Sequence, residues 1–522
     1  RRVLFRSHWF GFSTTRDSSR RGSGGLALFE GAFLGLVGGL LGFERCTLFG
    51  QLGSSTRILI GGITNNEVLA PWAIANSSDY TTYNTTLGVG SVGSVGFRSY
   101  DGSLASGIIT NVSSTYYLLG DATTGMLRLS GGATTDVGFL GGNYVLNLEQ
   151  GGLLRSNNNN NSTIGVAGLG LFPGVLTVGG TSIGGTTELI TYNNQATITI
   201  NSVIADNGLG NSLALVKSGA SVLTLQPSWI VTNVANNAGS PTVTVPDATG
   251  LTVGMLVGGA GIPVGTTISS IAGNVVTLSA PTTAIITQLQ IGLSNTYTGG
   301  TTVDQGTLNL SATSSTTVLS TGGLTISGST VTMNNVSGQI AASNVVTLNG
   351  GGTLNLLGAN SLAGFIFNNN GGAAPTLNAS GSIGGLLTLT GDISASSSNV
   401  TTSSTIAGGL SLGSSSRTFT VNPVMVNGSE VAPFLSALTI TGAIRGSGVG
   451  ITKLGTGVLQ YNTMNTYTGA TVVNAGTLQS GVNFSGDVFS ALTIGASGRV
   501  NLNGFSLLFG SLSGSGQVTN AS

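Results

Sequence analysis

Asn295 to Leu310 reads NTYTGGTTVDQGTLNL, and 170 residues later Asn465 to Ser480 reads NTYTGATVVNAGTLQS, with ten of sixteen positions identical. Each copy holds two short runs of Thr alternating with apolar residues, and each run is stopped by glycine. Period two with glycine punctuation is a strand signal. Recurrence at this fidelity marks a repeat architecture, in which one strand–turn–strand unit buries its apolar row only by stacking on a neighbour.

Upstream of the second copy lies Ile451–Tyr461 (ITKLGTGVLQY), and the first copy has its counterpart in Leu215–Leu225 (LVKSGASVLTL). Lys217 and Lys453, the only two lysines of the chain, therefore occupy one equivalent position. Lys453 precedes Asn465 by 12 residues and Lys217 precedes Asn295 by 78, so about 66 residues are inserted into the first unit. Within the unit, Lys-x-Gly opens a turn, followed by a strand (Val222–Leu225 or Val458–Tyr461) and a polar Asn-Thr corner. Tyr297 and Tyr467 are expected to cover a coil edge with the hydroxyl in water. Gly299 and Gly469 are expected to take a tight bend at positive φ. Strands from Thr301 and Thr471 then run to turns at Gly306 and Gly476.

The same texture fills the chain from about Ile58. Runs such as Tyr144–Leu148, Thr197–Ile200, Val345–Leu348, Thr353–Leu356 and Leu386–Leu389 alternate apolar with Thr, Ser or Asn and end at Gly- or Asn-rich turns. No helical period is sustained. Asn157–Asn161 and Asn368–Asn370 read as turns and hydrogen-bonded Asn ladders in preference to recognition loops. The insertion, 228–291, carries four strand-like runs at 241–245, 250–257, 261–268 and 274–278. It reads as a small β-rich module, for binding or as a spacer.

Composition narrows the function. With 86 Gly, 10 Pro and no Gly-X-Y period the chain is not collagen, and 40% hydrophobic residues give it a core to bury. Only 6% of residues are charged, sixteen basic against sixteen acidic, so there is no basic face for nucleic acid. One cysteine, Cys46, excludes an internal disulfide framework. At one coil per 20–25 residues, residues 58–522 are expected to extend on the order of 90–110 Å.

Residues 1–57 are atypical. Arg1–Ser7 (RRVLFRS) is what one frame of a sequencing-adapter end encodes, and is set aside. The segment holds eight of the sixteen Lys and Arg, the one His (His8) and the one Cys. Its apolar run, Leu26–Phe43, has the length of a signal or membrane segment. Glu30, the glycines and the missing cleavage site argue against that reading.

Catalytic constellations fail one by one. The sole His sits in the atypical segment, so a Ser–His–Asp triad has no base. Ten Asp and six Glu are spread singly, although stacked coils can still bring distant carboxylates together. There is no Cys/His metal set, no calcium-loop pattern and no phosphate loop. Catalytic, cofactor-binding and metal-binding residues are expected to be none, and no cofactor is implied.

Residues 451–478, and less completely 215–225 with 295–308, resemble the β-strand repeat of bacterial autotransporter passengers, L-x-K-x-G-x-G-x-L-x-L-x-x-x-N-x-Y-x-G-x-T-x-x-x-x-G-x-L. The first copy departs at Ser221, where the pattern has Gly. Ala491–Val518, Ile198–Asn207 and Ala70–Tyr83 are similar to flanking segments of such passengers. The resemblance implies an all-β, right-handed parallel β-helix (a solenoid) over 58–227 and 292–522, with the small inserted β-rich module at 228–291. It implies a bacterial cell-surface, outer-membrane-associated or extracellular setting, a signal, and a C-terminal outer-membrane β-barrel beyond Ser522. The expected function is a structural or adhesive stalk without catalysis, with host or matrix surface glycans or proteins as partners and no nucleic acid. The alternatives are a β-helical polysaccharide-degrading enzyme and a passive spacer presenting another domain.

Overall fold

Thr, Val, Ile and Leu in strict alternation favour extended backbone, where β-branched side chains stand clear of their neighbours. The computed structural model describes residues 47–48 and 64–521, except 157, 169, 181–184, 264, 315, 380–385 and 484. Apart from Thr47–Leu48, the atypical segment 1–57 with its apolar run Leu26–Phe43 lies outside the described residues. Every described element is a β-strand. No described helix is long and apolar enough to cross a membrane.

The strands stack as a parallel β-helix. On one face, fifteen parallel rungs follow each other from Ile109–Val112 to Phe509–Gly514. At about 4.8 Å per rung the ladder spans roughly 67 Å. This is shorter than the 90–110 Å expected, because the module and several long corners consume residues without adding rungs. On a second face, Leu223, Leu308, Val331, Leu354, Leu377 and Ile406 lie in register on successive coils. Each of these six is fully buried. At roughly 1.5–3 kcal/mol per buried aliphatic side chain, such columns are the main favourable term. A third, shorter face pairs Asn360–Leu362, Leu386–Leu389, Gly409–Ser411 and Ile444–Gly446.

Residues ahead of the first rung do something else. Asp79–Asn84 pairs antiparallel with Ile74–Ala75 and with Gly88–Ser91. Ile74, Tyr80 and Val92 then form a small core with Ile109, Met126, Leu154 and Tyr192, packing this sheet against the side of the helix.

The chain leaves the helix after Leu225 and folds two three-stranded antiparallel sheets. One joins Ser228–Thr232, Gln288–Gly292 and Val257–Gly258, and the other joins Thr242–Thr244, Val275–Leu278 and Ile268–Ala272. They enclose a separate core that includes Val243, Val276, Leu289 and Ile291. The runs at 250–257 and 261–268, which read as strands, are extended only at their ends, at Leu256–Val257 and Thr267–Ile268, and take positive φ at Gly250, Gly254, Gly261 and Gly265. Trp229 anchors the module below, stacking on Phe172 at 5.2 Å and donating through Nε1 to the Leu171 carbonyl at 3.3 Å.

Candidate functional site

The two repeat units pair their strands in the same register despite their different spacing. Leu215, Lys217 and Val222 face Thr301, Val303 and Thr307, and Ile451, Lys453 and Val458 face Thr471, Val473 and Thr477. Lys217 is fully buried, and its Nζ donates to the carbonyls of Ser218 (2.7 Å), Gly219 (2.6 Å) and Gln305 (3.3 Å). Lys453 donates to the equivalent carbonyls of Leu454 (2.9 Å), Gly455 (2.6 Å) and Ala475 (3.1 Å). Burial lowers both ammonium pKa values to about 7. Asn295 accepts from the Ile204 amide at 2.9 Å and donates to the Val318 carbonyl at 2.7 Å, tying the coil below to the coil above. Asn465 repeats this with Ile444 (3.0 Å) and Ser485 (2.8 Å). The polar motif residues are therefore internal fasteners.

Two expectations for the unit are corrected. Tyr297 and Tyr467 have no solvent exposure, and their hydroxyls meet Thr301 Oγ1 at 2.7 Å and Thr471 Oγ1 at 2.5 Å. The Thr four residues on replaces water, which is why the motif contains both. Gly299 and Gly469 do not adopt positive φ. They are glycine because a Cβ would stand 2.4 Å from the Leu213 carbonyl oxygen and 2.2 Å from the Val449 carbonyl carbon. Positive φ belongs to Gly306 (69°) and Gly476 (68°).

Further charged groups are used in the same way, and sequence reasoning missed the two main ones. Arg155, fully buried, donates to the carbonyls of Asn160, Leu129 and Gly131 at 2.8–3.1 Å. Arg417 donates to those of Leu412, Thr390 and Leu389, each at 2.8 Å. Neither lies in a repeat motif. The available signal was scarcity, since a rarely charged chain places cations where turn carbonyls converge. Asp121, Asp136 and Asp392 each accept a backbone amide from the next coil, those of Val145, Thr163 and Thr418. Asp79 pairs with Arg128 at 3.0 Å, and Arg128 also lies 4.8 Å over the Tyr100 ring. Burial raises the Asp79 pKa, with Arg128 opposing it. This cluster ties the antiparallel sheet to the helix. Among the described residues no three His, Cys, Asp or Glu side chains converge as metal ligands.

The outward columns are polar and neutral. Thr302, Thr325 and Thr347 align on one face, and Asn309, Thr332, Asn355 and Asn378 on another. Asn378 donates to Asn355 at 2.8 Å, and Asn355 to Thr332 at 3.2 Å. Both Asn-rich stretches are stitched into the helix. Asn158 donates to the Gly131 carbonyl at 2.8 Å and Asn161 accepts from the Thr197 amide at 3.0 Å. Asn368 donates to Asn349 at 3.0 Å. On this surface a groove of about 480 Å³ is bounded by Asn368–Asn370, Ser396–Ser398, Asn422, Pro423 and Met425.

Residues 288–310 and 451–479 match the passenger-associated-transport-repeat family, so the chain carries two segments similar to that repeat. No curated protein matches its sequence. Among solved structures, a tailspike of an Acinetobacter baumannii bacteriophage, in complex with the capsular saccharide of that bacterium, is similar at 10% identity. That match covers 67% of each chain with a TM-score of 0.19.

Proposed function

We propose that this chain is the stalk of a bacterial surface or secreted passenger, a structural and adhesive scaffold without catalysis. Passenger repeats imply surface exposure or secretion. The observation that carries the scaffold reading is the employment of the buried cations. Lys217, Lys453, Arg155 and Arg417 all spend their donors on main-chain carbonyls. Groups that neighbouring coils hold so tightly serve cohesion, and the outward Thr and Asn columns offer hydrogen bonds with no base among them to activate a hydroxyl. Adhesion then arises from long neutral faces and projecting corners.

Beads coated with the full chain should adhere to host-cell or matrix surfaces. Incubation of the chain with neutral and acidic polysaccharides should release no reducing ends. Sustained release of reducing ends would overturn the scaffold reading in favour of a polysaccharide-degrading β-helix.

A further inference from the structure

The groove coincides with a local change in how the coils turn. Between the first and second faces the connection is three residues at 350–352 and again at 455–457. In the coils between them it lengthens to six residues at 370–375 and six at 398–403. In the next coil the strand Arg417–Val426 runs on into a hairpin with Ser429–Glu430, and the chain re-enters the helix at Ser436. Asn427 (φ 51°) and Gly428 (φ 79°) close that hairpin, a pairing that suits the twist of a two-residue turn. Three consecutive coils thus enlarge one corner, and in repeat folds such enlargements map to the working face.

The enlarged corner is braced. Asn369 Nδ2 donates to the Thr402 carbonyl at 2.7 Å, and Asn399 Nδ2 to the Gly372 carbonyl at 3.2 Å. Ser403 and Ser436 share a hydroxyl bond of 2.8 Å. At the floor, Ser396 donates to Asn368, which donates in turn to Asn349. Asn369 is fully buried, lines the groove, and leaves its Oδ1 without a hydrogen-bond partner. Pro423 and Met425 add an apolar portion to the lining, on the rung that follows Ser396–Ser397.

From this geometry we propose that the groove is a binding subsite for a neutral glycan segment; the assignment deepens the adhesive reading above and rests on it. No charged side chain lines the groove, so an anionic or cationic ligand would lose its counter-charges to water and gain none. An apolar ligand would leave the Asn and Ser groups unpaired. Sugar hydroxyls both donate and accept, matching the carboxamide and hydroxyl lining. The C–H face of a pyranose suits the apolar lining at Pro423 and Met425. The volume lies within the range of about 300–1,000 Å³ usual for small-ligand sites.

The test uses the full chain with ¹³C-methyl-labelled methionine. There are five Met, and only Met425 lines the groove. Glucose, galactose and mannose hexasaccharides are titrated, with a hexauronate as the anionic arm. The Met425 methyl should shift with at least one neutral sugar and not with the hexauronate. Asn422→Ala, followed by the Met425 methyl, and Met425→Ala, followed by titration calorimetry, should each weaken binding by about tenfold, while the buried Met126 and Met333 signals report an intact fold. No Met425 shift with any neutral sugar, an equal response to the hexauronate, or undiminished affinity in Asn422→Ala overturns the assignment. If coated beads adhere equally well with both substitutions present, the adhesive stalk stands and the groove falls. If native beads do not adhere but Met425 titrates, the reverse holds.

Discussion

Lys217 donates from Nζ to the carbonyl of Gln305 at 3.3 Å, across 88 residues of sequence yet between adjacent coils. Lys453 reaches Ala475 in the same way across 22 residues. The contact survives a large insertion because what it needs is the next coil, which the chain rejoins in register.

The first prediction concerns these lysines. Lys453→Met keeps the stem but takes the Nζ donor away from three part-buried carbonyls. It should cost about 2–3 kcal/mol. The readout is the denaturant midpoint of the coils around 451–479. An unchanged midpoint would mean that the carbonyls find other donors.

Their pH dependence has a definite sign. Folding lowers each lysine from 10.5 to about 7. Between those values the unfolded chain binds more protons than the folded one, so stability rises with pH through the window. Below about 7 the cost of the buried charge is fully present. Buried tyrosines act oppositely. Tyr297, raised from 10.0 to about 12, stays protonated where the unfolded chain ionises, so stability falls again above 10. Thermal midpoints should climb from pH 7 to a maximum near 10 and then drop. The rise should flatten in a Lys217→Met, Lys453→Met double variant.

Tyr297→Phe removes the partner of Thr301 inside the helix and should cost about 1 kcal/mol, whereas Tyr297→Ala opens a cavity worth about 3–5 kcal/mol. Had the hydroxyl been in water, the Phe variant would unfold at the native midpoint.

Glycine substitutions separate crowding from dihedral strain. Gly469→Ala pushes a methyl against the Val449 carbonyl carbon at 2.2 Å and should cost about 3 kcal/mol although φ is not positive there. Gly504→Ala, at φ 79° with open space around it, should cost only about 1 kcal/mol. Equilibrium unfolding of the pair decides, and a reversed order would contradict the close coil contact.

Replacing residues 226–294 with Asn-Thr-Met, the corner that stands at 462–464 in the second unit, should leave the β-helix intact. Strands on both sides of the insertion already pair, Leu225 with Leu310 and Leu215 with Thr301. Far-UV circular dichroism per residue and the thermal midpoint should stay near native values. Loss of the cooperative transition would show that the module holds the coils together.

The repeat, the strand alternation and the equivalence of the two lysines were legible in the chain, because period-two burial writes itself directly into residue order. The roles of Tyr297 and Gly299 were not. Whether a ring faces water or core depends on which coil lies above it, and whether a Cβ fits depends on a carbonyl over eighty residues away. Arg155 and Arg417 escaped notice for the same reason, since their carbonyl partners at Leu129 and Leu389 lie 26 and 28 residues upstream.

Sequence alone determined that this protein is a repeat of short stacked strands, interrupted once by an insertion, because alternation and glycine spacing are local properties; that the stack is a β-helix was implied by the motif's resemblance. Only the tertiary structure decided what the polar motif residues do and where a ligand-sized groove opens. Stacking makes neighbours of Asn369, Ser397 and Asn422, which no local spacing relates, and the depth of the corner they share depends on the loops of three separate coils.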